Sequence, residues 1–270
     1  MTNKNTLLKM VLEYVEAITN NDLSRLNLSP DLKVTSNGVR SPLGSSDIWG
    51  SPRRIPFRQT FVDTETGNGI FFGVITNTTT DHVGFEAKWW RYVVRIKLEQ
   101  DQIAEIEEIY FDSIFSHYET NPWEMTPNPS FRLILPNDEQ SGRDDLISIV
   151  NCYWDAVERN YDGFSLPFHP DAKRNECGTI TTDSKNFPNS ARGDFTKVIN
   201  EGWRWDVVNR RFPVVDIDRG LVVSIADLST TEKTNPKFMP CIVAEIFKIE
   251  NGLIKDLFAF FYVGENQSDW

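Results

Sequence analysis

The chain has 270 residues, 40% of them hydrophobic and 12% aromatic, and a formal net charge of -11. That length supports one large domain or two small ones with real cores, and the acidity argues against a nucleic-acid surface, which needs clustered Lys and Arg. No stretch reaches the roughly 18 apolar residues of a membrane span, and the opening MTNKNTLLKMVL has no apolar core or small-residue cleavage site. A soluble, cytoplasmic protein is therefore expected.

The first element is a helix. In LLKMVLEYVEAITNNDLSRL the apolar residues Leu7, Val11, Tyr14 and Ile18 fall on one helical stripe. SPDLKVTSNG follows, a short extended run that ends in Gly. RQTFVDTETGNGIFFGVI (58–75) reads as a hairpin, and YVVRIKLEQDQIAEIEEIYF (92–111) as a strand pair turning at Gln100-Asp101. Residues 119–143 hold four prolines, which block helix and stiffen a connector.

The order then starts again. DDLISIVNCYWDAVERNYDGF places Leu146, Val150, Tyr153 and Val157 on the same stripe, and Tyr-x-x-Ala recurs at Tyr153 to Ala156. HPDAKRNECG repeats the Pro-Asp run, and RRFPVVDIDRGLVVSIA (210–226) repeats the hairpin, with Pro213 marking an edge or a bulge. IVAEIFKIENGLIKDLFAFFY (242–262) closes the copy with an Asn251-Gly252 turn. The expected organisation is a first repeat at 1–118, a Pro-rich linker at 119–143 and a second repeat at 144–270. Each is α+β, with helices against one face of a curved antiparallel sheet.

Three cysteines, Cys152, Cys177 and Cys241, show neither metal spacing nor a disulfide framework and read as free packing thiols. The histidines His82, His117 and His169 are scattered, so no metal site is expected. No GxGxxG or GxxxxGK[ST] loop points to a nucleotide.

The runs YVEAITNNDLSRL, SPDLKVTSNG and EIFKIENGLIKD resemble the SnoaL-like and ketosteroid-isomerase-like branch of the nuclear transport factor two superfamily. The tandem arrangement is similar to double SnoaL-like proteins frequent in filamentous fungi. The resemblance spans nearly the whole chain apart from the linker. It implies two consecutive cone-shaped α+β barrels, each a bent sheet wrapped around helices with an apolar pocket open at one end. It also implies chemistry without a cofactor: isomerisation, cyclisation, dehydration or another lyase reaction on a hydrophobic oxygenated small molecule, in specialised metabolism. The alternatives it leaves open are an epoxide-hydrolase-like hydrolase and a non-catalytic small-molecule-binding or scaffold protein. Sheet-to-sheet packing of the repeats would give a monomeric pseudo-dimer or a homodimer.

In ketosteroid-isomerase-like sequences the base lies five positions after the Asp that begins the first strand. Here that position is Glu176 in the second repeat and Ser36 in the first, so the second repeat is expected to be the catalytic one. Strand alternation puts Arg174 on the face of Glu176. The resemblance implies Tyr153 as oxyanion donor and Arg174 and His169 as modulators, with Tyr14 matching Tyr153 in the first copy. A carboxylate in an apolar cone is raised by desolvation and lowered by a nearby guanidinium, and the balance can make a base useful near neutrality. A structural ion pair for Glu176 and Arg174, and plain packing for Tyr153, are the competing readings. Trp154 and Arg211 are further candidates for substrate contact in the second repeat. In the first, Arg58, Lys88, Trp89 and Tyr92 could line a second pocket, although KWWRY also reads as a packed edge strand. Arg210, Asp216 and Asp218 read as part of a charged turn.

Overall fold

A computed structural model of the chain describes residues 3–49, 54–77, 88–112, 124–159, 167–182, 205–229, 239–264 and 269–270. His82 and His117, and the start of the linker, lie outside the described residues. The chain divides into two compact units. Unit 1 comprises Met1–Ile114, Thr120–Pro127 and Gln267–Trp270, and unit 2 comprises Phe115–Glu119 and Asn128–Asn266.

Unit 1 opens with helix α1, Lys4–Asn20. Asn3 caps it by accepting from the Thr6 amide at 2.9 Å, and Asn21 ends it in the left-handed region at φ 53°. Leu7, Val11, Tyr14 and Ile18, the stripe read from the sequence, are all fully buried. Six strands follow: β1 (Leu28–Ser36), β2 (Val39–Arg40), β3 (Arg54–Asp63), β4 (Asn68–Thr76), β5 (Trp89–Glu99) and β6 (Gln102–Phe111). They form one sheet in the order β2-β1-β6-β5-β4-β3. All neighbours are antiparallel except β1 and β6, which run parallel. The sheet is therefore mixed where the sequence led us to expect an antiparallel one, because the chain must cross the whole sheet before β6 returns beside β1. Trp89 and Trp90 begin β5, which is an interior strand and not an edge.

Helix α1 lies on one face of this sheet, against β3 and β4. At Gly69 a Cβ would stand 2.4 Å from Val11, so the absence of a side chain there is what lets helix and sheet approach. The core on this face joins the α1 stripe to Phe71, Trp90, Tyr92, Val94, Ile96, Ile103 and Ile106.

Unit 2 repeats the plan. Helix α2 (Arg143–Arg159) precedes β7 (Phe168–Glu176), β8 (Thr179–Ile180), β9 (Asp206–Asp216), β10 (Leu221–Ser229), β11 (Cys241–Glu250) and β12 (Leu253–Val263). The sheet order is β8-β7-β12-β11-β10-β9, again with the first long strand parallel to the last. Leu146, Val150, Tyr153 and Val157 are buried against Val222, Ala226, Val243, Phe247 and Ala259. Pro213 lies on the edge strand β9, where the register with β10 shifts between Val223 and Ile225. Missing amide donors do least harm at such a place.

The turns carry the expected chemistry. Gln100 and Asp101 both have positive φ, 51° and 61°, as do Asn251 and Gly252, 51° and 73°. That is the backbone a two-residue hairpin needs to follow strand twist. Residues Asn128 to Asn137 of the linker pack on unit 2: the Leu135 amide donates to Asp218 O at 2.8 Å, and the Lys248 ammonium donates to Leu133 O and Arg219 O at 3.2 and 2.6 Å. The three cysteines are free. Cys177 and Cys241 are buried, and burial raises the Cys241 thiol far above its ordinary range. Cys152, expected inside, is exposed on α2.

Candidate functional site

The register of each sheet sets up a transverse row of side chains on the face the helix covers. In unit 2 that row runs Glu176, Ala259, Glu245, Ser224 across β7, β12, β11 and β10. Directly paired residues project to the same side, so two carboxylates flank the small Ala259. Helix α2 supplies the other half. The Tyr153 hydroxyl donates to Glu245 Oε1 at 3.4 Å, and the Trp154 indole donates to Ser224 Oγ at 2.9 Å. Tyr153 is ringed by Trp154, Phe247 and Phe168 in edge-on contacts, with centroids 5.1, 5.1 and 6.2 Å away.

Arg174 joins the two acids. It lies two residues before Glu176 on β7 and therefore on the same face, and its guanidinium reaches Glu176 Oε1 at 2.5 Å and Glu245 Oε1 at 4.0 Å. Glu176 is buried and Glu245 is 1% exposed. Burial, reinforced by the Glu176 charge and only partly opposed by Arg174 and the Tyr153 hydroxyl, raises Glu245 from an ordinary 4.5 to about 8. Its Oε2 is buried and accepts no hydrogen bond among the described residues. The arrangement sets a carboxyl group raised by burial beside a carboxylate paired with a guanidinium, and one oxygen of the former accepts no hydrogen bond among the described residues.

Glu176, Arg174, Tyr153 and Trp154 thus come together. His169 does not. It sits at the far end of β7, seven residues from Glu176 and roughly 20 Å away at strand rise, where its Nδ1 meets the Asp171 amide and the Lys255 ammonium, each at 3.1 Å. Arg211 also stands apart: it pairs with Ile225, the neighbour of Ser224, and so projects from the opposite face. Arg210 bridges instead to Asp155 and Glu158 of α2 at 2.5 and 2.6 Å.

Unit 1 builds its row from Ser36, Glu108, Val94 and Phe71. Here the acid is Glu108 on β6, 1% exposed. Tyr14 from α1 and Tyr92 from β5 donate to its Oε1 at 3.0 and 2.8 Å, and Ser36 donates to Oε2 at 3.0 Å. Burial and the Glu108 charge push both phenols well above their ordinary value, so they serve only as neutral donors. Trp89 is not part of this cluster. It lies one residue out of phase with Trp90 and Tyr92, on the other face, where the Arg91 guanidinium stands 5.0 Å from its ring. Arg58 pairs with Gly73, and the Lys88 carbonyl accepts from Thr76 Oγ1.

Reading the sequence for site residues missed Glu245 and Glu108. A signal exists for the first: Glu245 is the one charged residue between Cys241 and Phe247, a run otherwise apolar. For the second, IEEIYF offers two adjacent acids on opposite faces, and both Glu107 and Glu108 are 1% exposed. Nothing local separates the one that meets hydroxyls from the one that meets Arg95 at 2.9 Å.

Among the described residues no group of three His, Cys, Asp or Glu is placed to hold a metal ion, and no helix is long and apolar enough to cross a membrane. Comparison with known proteins gives a match of residues 139–261 to a domain of unknown function, DUF8021. No curated protein matches. Solved structures similar to this chain include a protein from Sphaerobacter thermophilus, 15% identical, covering 44% of this chain and 96% of that one at a TM-score of 0.34. AusH from Aspergillus nidulans is 11% identical over 45% of this chain and 99% of its own, TM-score 0.32. An NTF-2 like protein of unknown function from Burkholderia xenovorans LB400 is 12% identical over 47% of this chain and 90% of its own, TM-score 0.31.

Proposed function

We propose that unit 2 is a cofactor-independent acid/base site that acts on a hydrophobic, oxygenated small molecule. The observation that carries this reading is the pairing of unlike carboxyl groups: Glu245 is buried with Oε2 accepting no hydrogen bond among the described residues, and burial raises it to about 8, while Glu176 is held against Arg174 at 2.5 Å. Two neighbouring titratable groups in contrasting environments divide naturally into acid and base. Glu176 takes a proton from carbon, and Glu245 gives its own to the oxygen on which charge develops. Tyr153 fixes the Glu245 carboxyl through Oε1, leaving Oε2 toward the substrate. Isomerisation, cyclisation and dehydration all use this proton inventory.

Glu245 also favours a second reading, the hydration of an epoxide. Glu176 would take a proton from water as the water oxygen bonds to an epoxide carbon; the carbon–oxygen bond breaks, and the departing alkoxide takes the Glu245 proton. A single carboxylate could not serve both ends of that step.

One experiment addresses both readings. The native chain and its Glu176→Gln and Glu245→Gln variants are incubated with cyclic enones and aryl ketones in D2O, and with aryl epoxides in water, and followed by NMR. α-Deuteration or diol formation should fall by at least about 100-fold in Glu176→Gln, the scale of a lost general base, and should fade in the native chain above about pH 8 as Glu245 ionises. Undiminished turnover in Glu176→Gln sinks the acid/base assignment.

A further inference from the structure

Asp269 and Trp270, expected from the sequence to lie in the second repeat, belong to unit 1. They engage the sheet face opposite to α1. There Lys33 and Thr35 of β1, Glu105 and Glu107 of β6 and Arg95 of β5 lie side by side. Arg95, 6% exposed, donates to Glu107 at 2.9 Å, to Glu105 at 2.8 Å and to Asn68 at 2.9 Å, so its guanidinium is locked flat with one face open. The Trp270 ring covers that face at 4.4 Å, and the Lys33 ammonium stands 3.8 Å from the same ring. Two cations on one indole is a favourable use of its electron-rich faces. The indole N–H donates to Thr35 Oγ1 at 2.7 Å.

Asp269 is read at its backbone and its side chain. Its amide donates to Gly38 O at 3.1 Å, and its Oδ2 accepts from the Arg40 amide at 2.7 Å. Lys33 Nζ donates to the Asp269 carbonyl. The pair therefore docks beside the edge strand β2, with one main-chain bond to Gly38, the Asp269 carboxylate on the Arg40 amide, and a neighbouring slot that takes the Trp ring.

We infer that this surface is a docking site specific for an Asp-Trp segment, filled by the chain's own tail, and that a vacated site accepts the same segment from a second copy of the chain. The Asp269 amide, carbonyl and Oδ2 and the Trp270 indole N–H each have a partner in unit 1, and the two cations on the Trp270 ring disfavour a basic residue in its place. Belonging to the same chain, Asp269 and Trp270 meet the site at a high effective concentration.

The test uses the full-length chain carrying Trp270→Ala and a fluorescein-labelled peptide of residues 264–270, GENQSDW, followed by anisotropy. The Trp270→Ala chain should bind the peptide saturably, and the native chain at least about tenfold more weakly, because its tail competes at millimolar effective concentration. Adding Thr35→Val to the Trp270→Ala chain should weaken binding about fivefold, the scale of one hydrogen bond. A mixture of the Trp270→Ala chain, which keeps the site, with a chain carrying only Thr35→Val, which keeps the tail, should contain a one-to-one species by sedimentation. No binding to the Trp270→Ala chain at millimolar peptide, or equal binding by native and variant chains, overturns the proposal.

Discussion

The two units carry their buried acids in the same transverse row but on different strands. Unit 1 puts Glu108 in the middle and surrounds it with Tyr14, Tyr92 and Ser36. Unit 2 puts Ala259 in that middle position and moves the acids outward, to Glu176 and Glu245. The same framework thus gives two electrostatic outcomes. In unit 1 both oxygens of the acid accept from hydroxyls, whereas in unit 2 one oxygen of the raised acid accepts no hydrogen bond among the described residues, which is why we propose the chemistry there.

Removing the acid of unit 1 should have the largest effect. Glu108→Ala takes the shared acceptor from Tyr14, Tyr92 and Ser36 and opens a cavity, and should cost about 3–5 kcal/mol, read by urea unfolding and by lost hydrogen-exchange protection in β6. Tolerance of that change within about 1 kcal/mol would break the contrast. An effect of comparable size is expected from pH. Glu245 is raised in the fold, so the native state holds its proton where the unfolded chain has released it; stability is full below pH 4.5 and declines as pH rises to about 8. Glu245→Gln should flatten that decline, and an unchanged slope would remove Glu245 from the ledger. The smallest effect concerns the matching turns. Asp101 adopts φ 61° where unit 2 has Gly252 at 73°, so Asp101→Gly should stabilise unit 1 by about 0.5–1 kcal/mol, visible as a small rise in urea midpoint.

The helical stripes, the turns at Gln100-Asp101 and Asn251-Gly252 and the bulge at Pro213 were legible in the sequence because each is decided by residues a few positions apart. The grouping of Glu176 with Arg174 was legible for the same reason, since alternation along one strand is local. Glu245 and Glu108 were not, because their meaning lies in cross-strand register: Glu245 matters through Ala259, and Glu108 through Ser36, partners far away in the chain. His169, close to Glu176 in sequence, is separated from it by the rise of the strand, and the register shift at β9 turns Arg211 to the face away from Ser224.

The parallel pairing of β1 with β6 has a consequence for the order of events during synthesis. Leu28 must wait for Ile103, and Ser36 for Glu108, whereas the hairpins between them can close on short turns as they emerge. β1 can pair with the short β2 at once, but its other edge is the last to find its neighbour and until then stands open to other chains. The second unit repeats the delay between Glu176 and Ala259. Each acid row is therefore assembled in the closing step of its sheet, so a unit that stops short of its last strand has no such row at all.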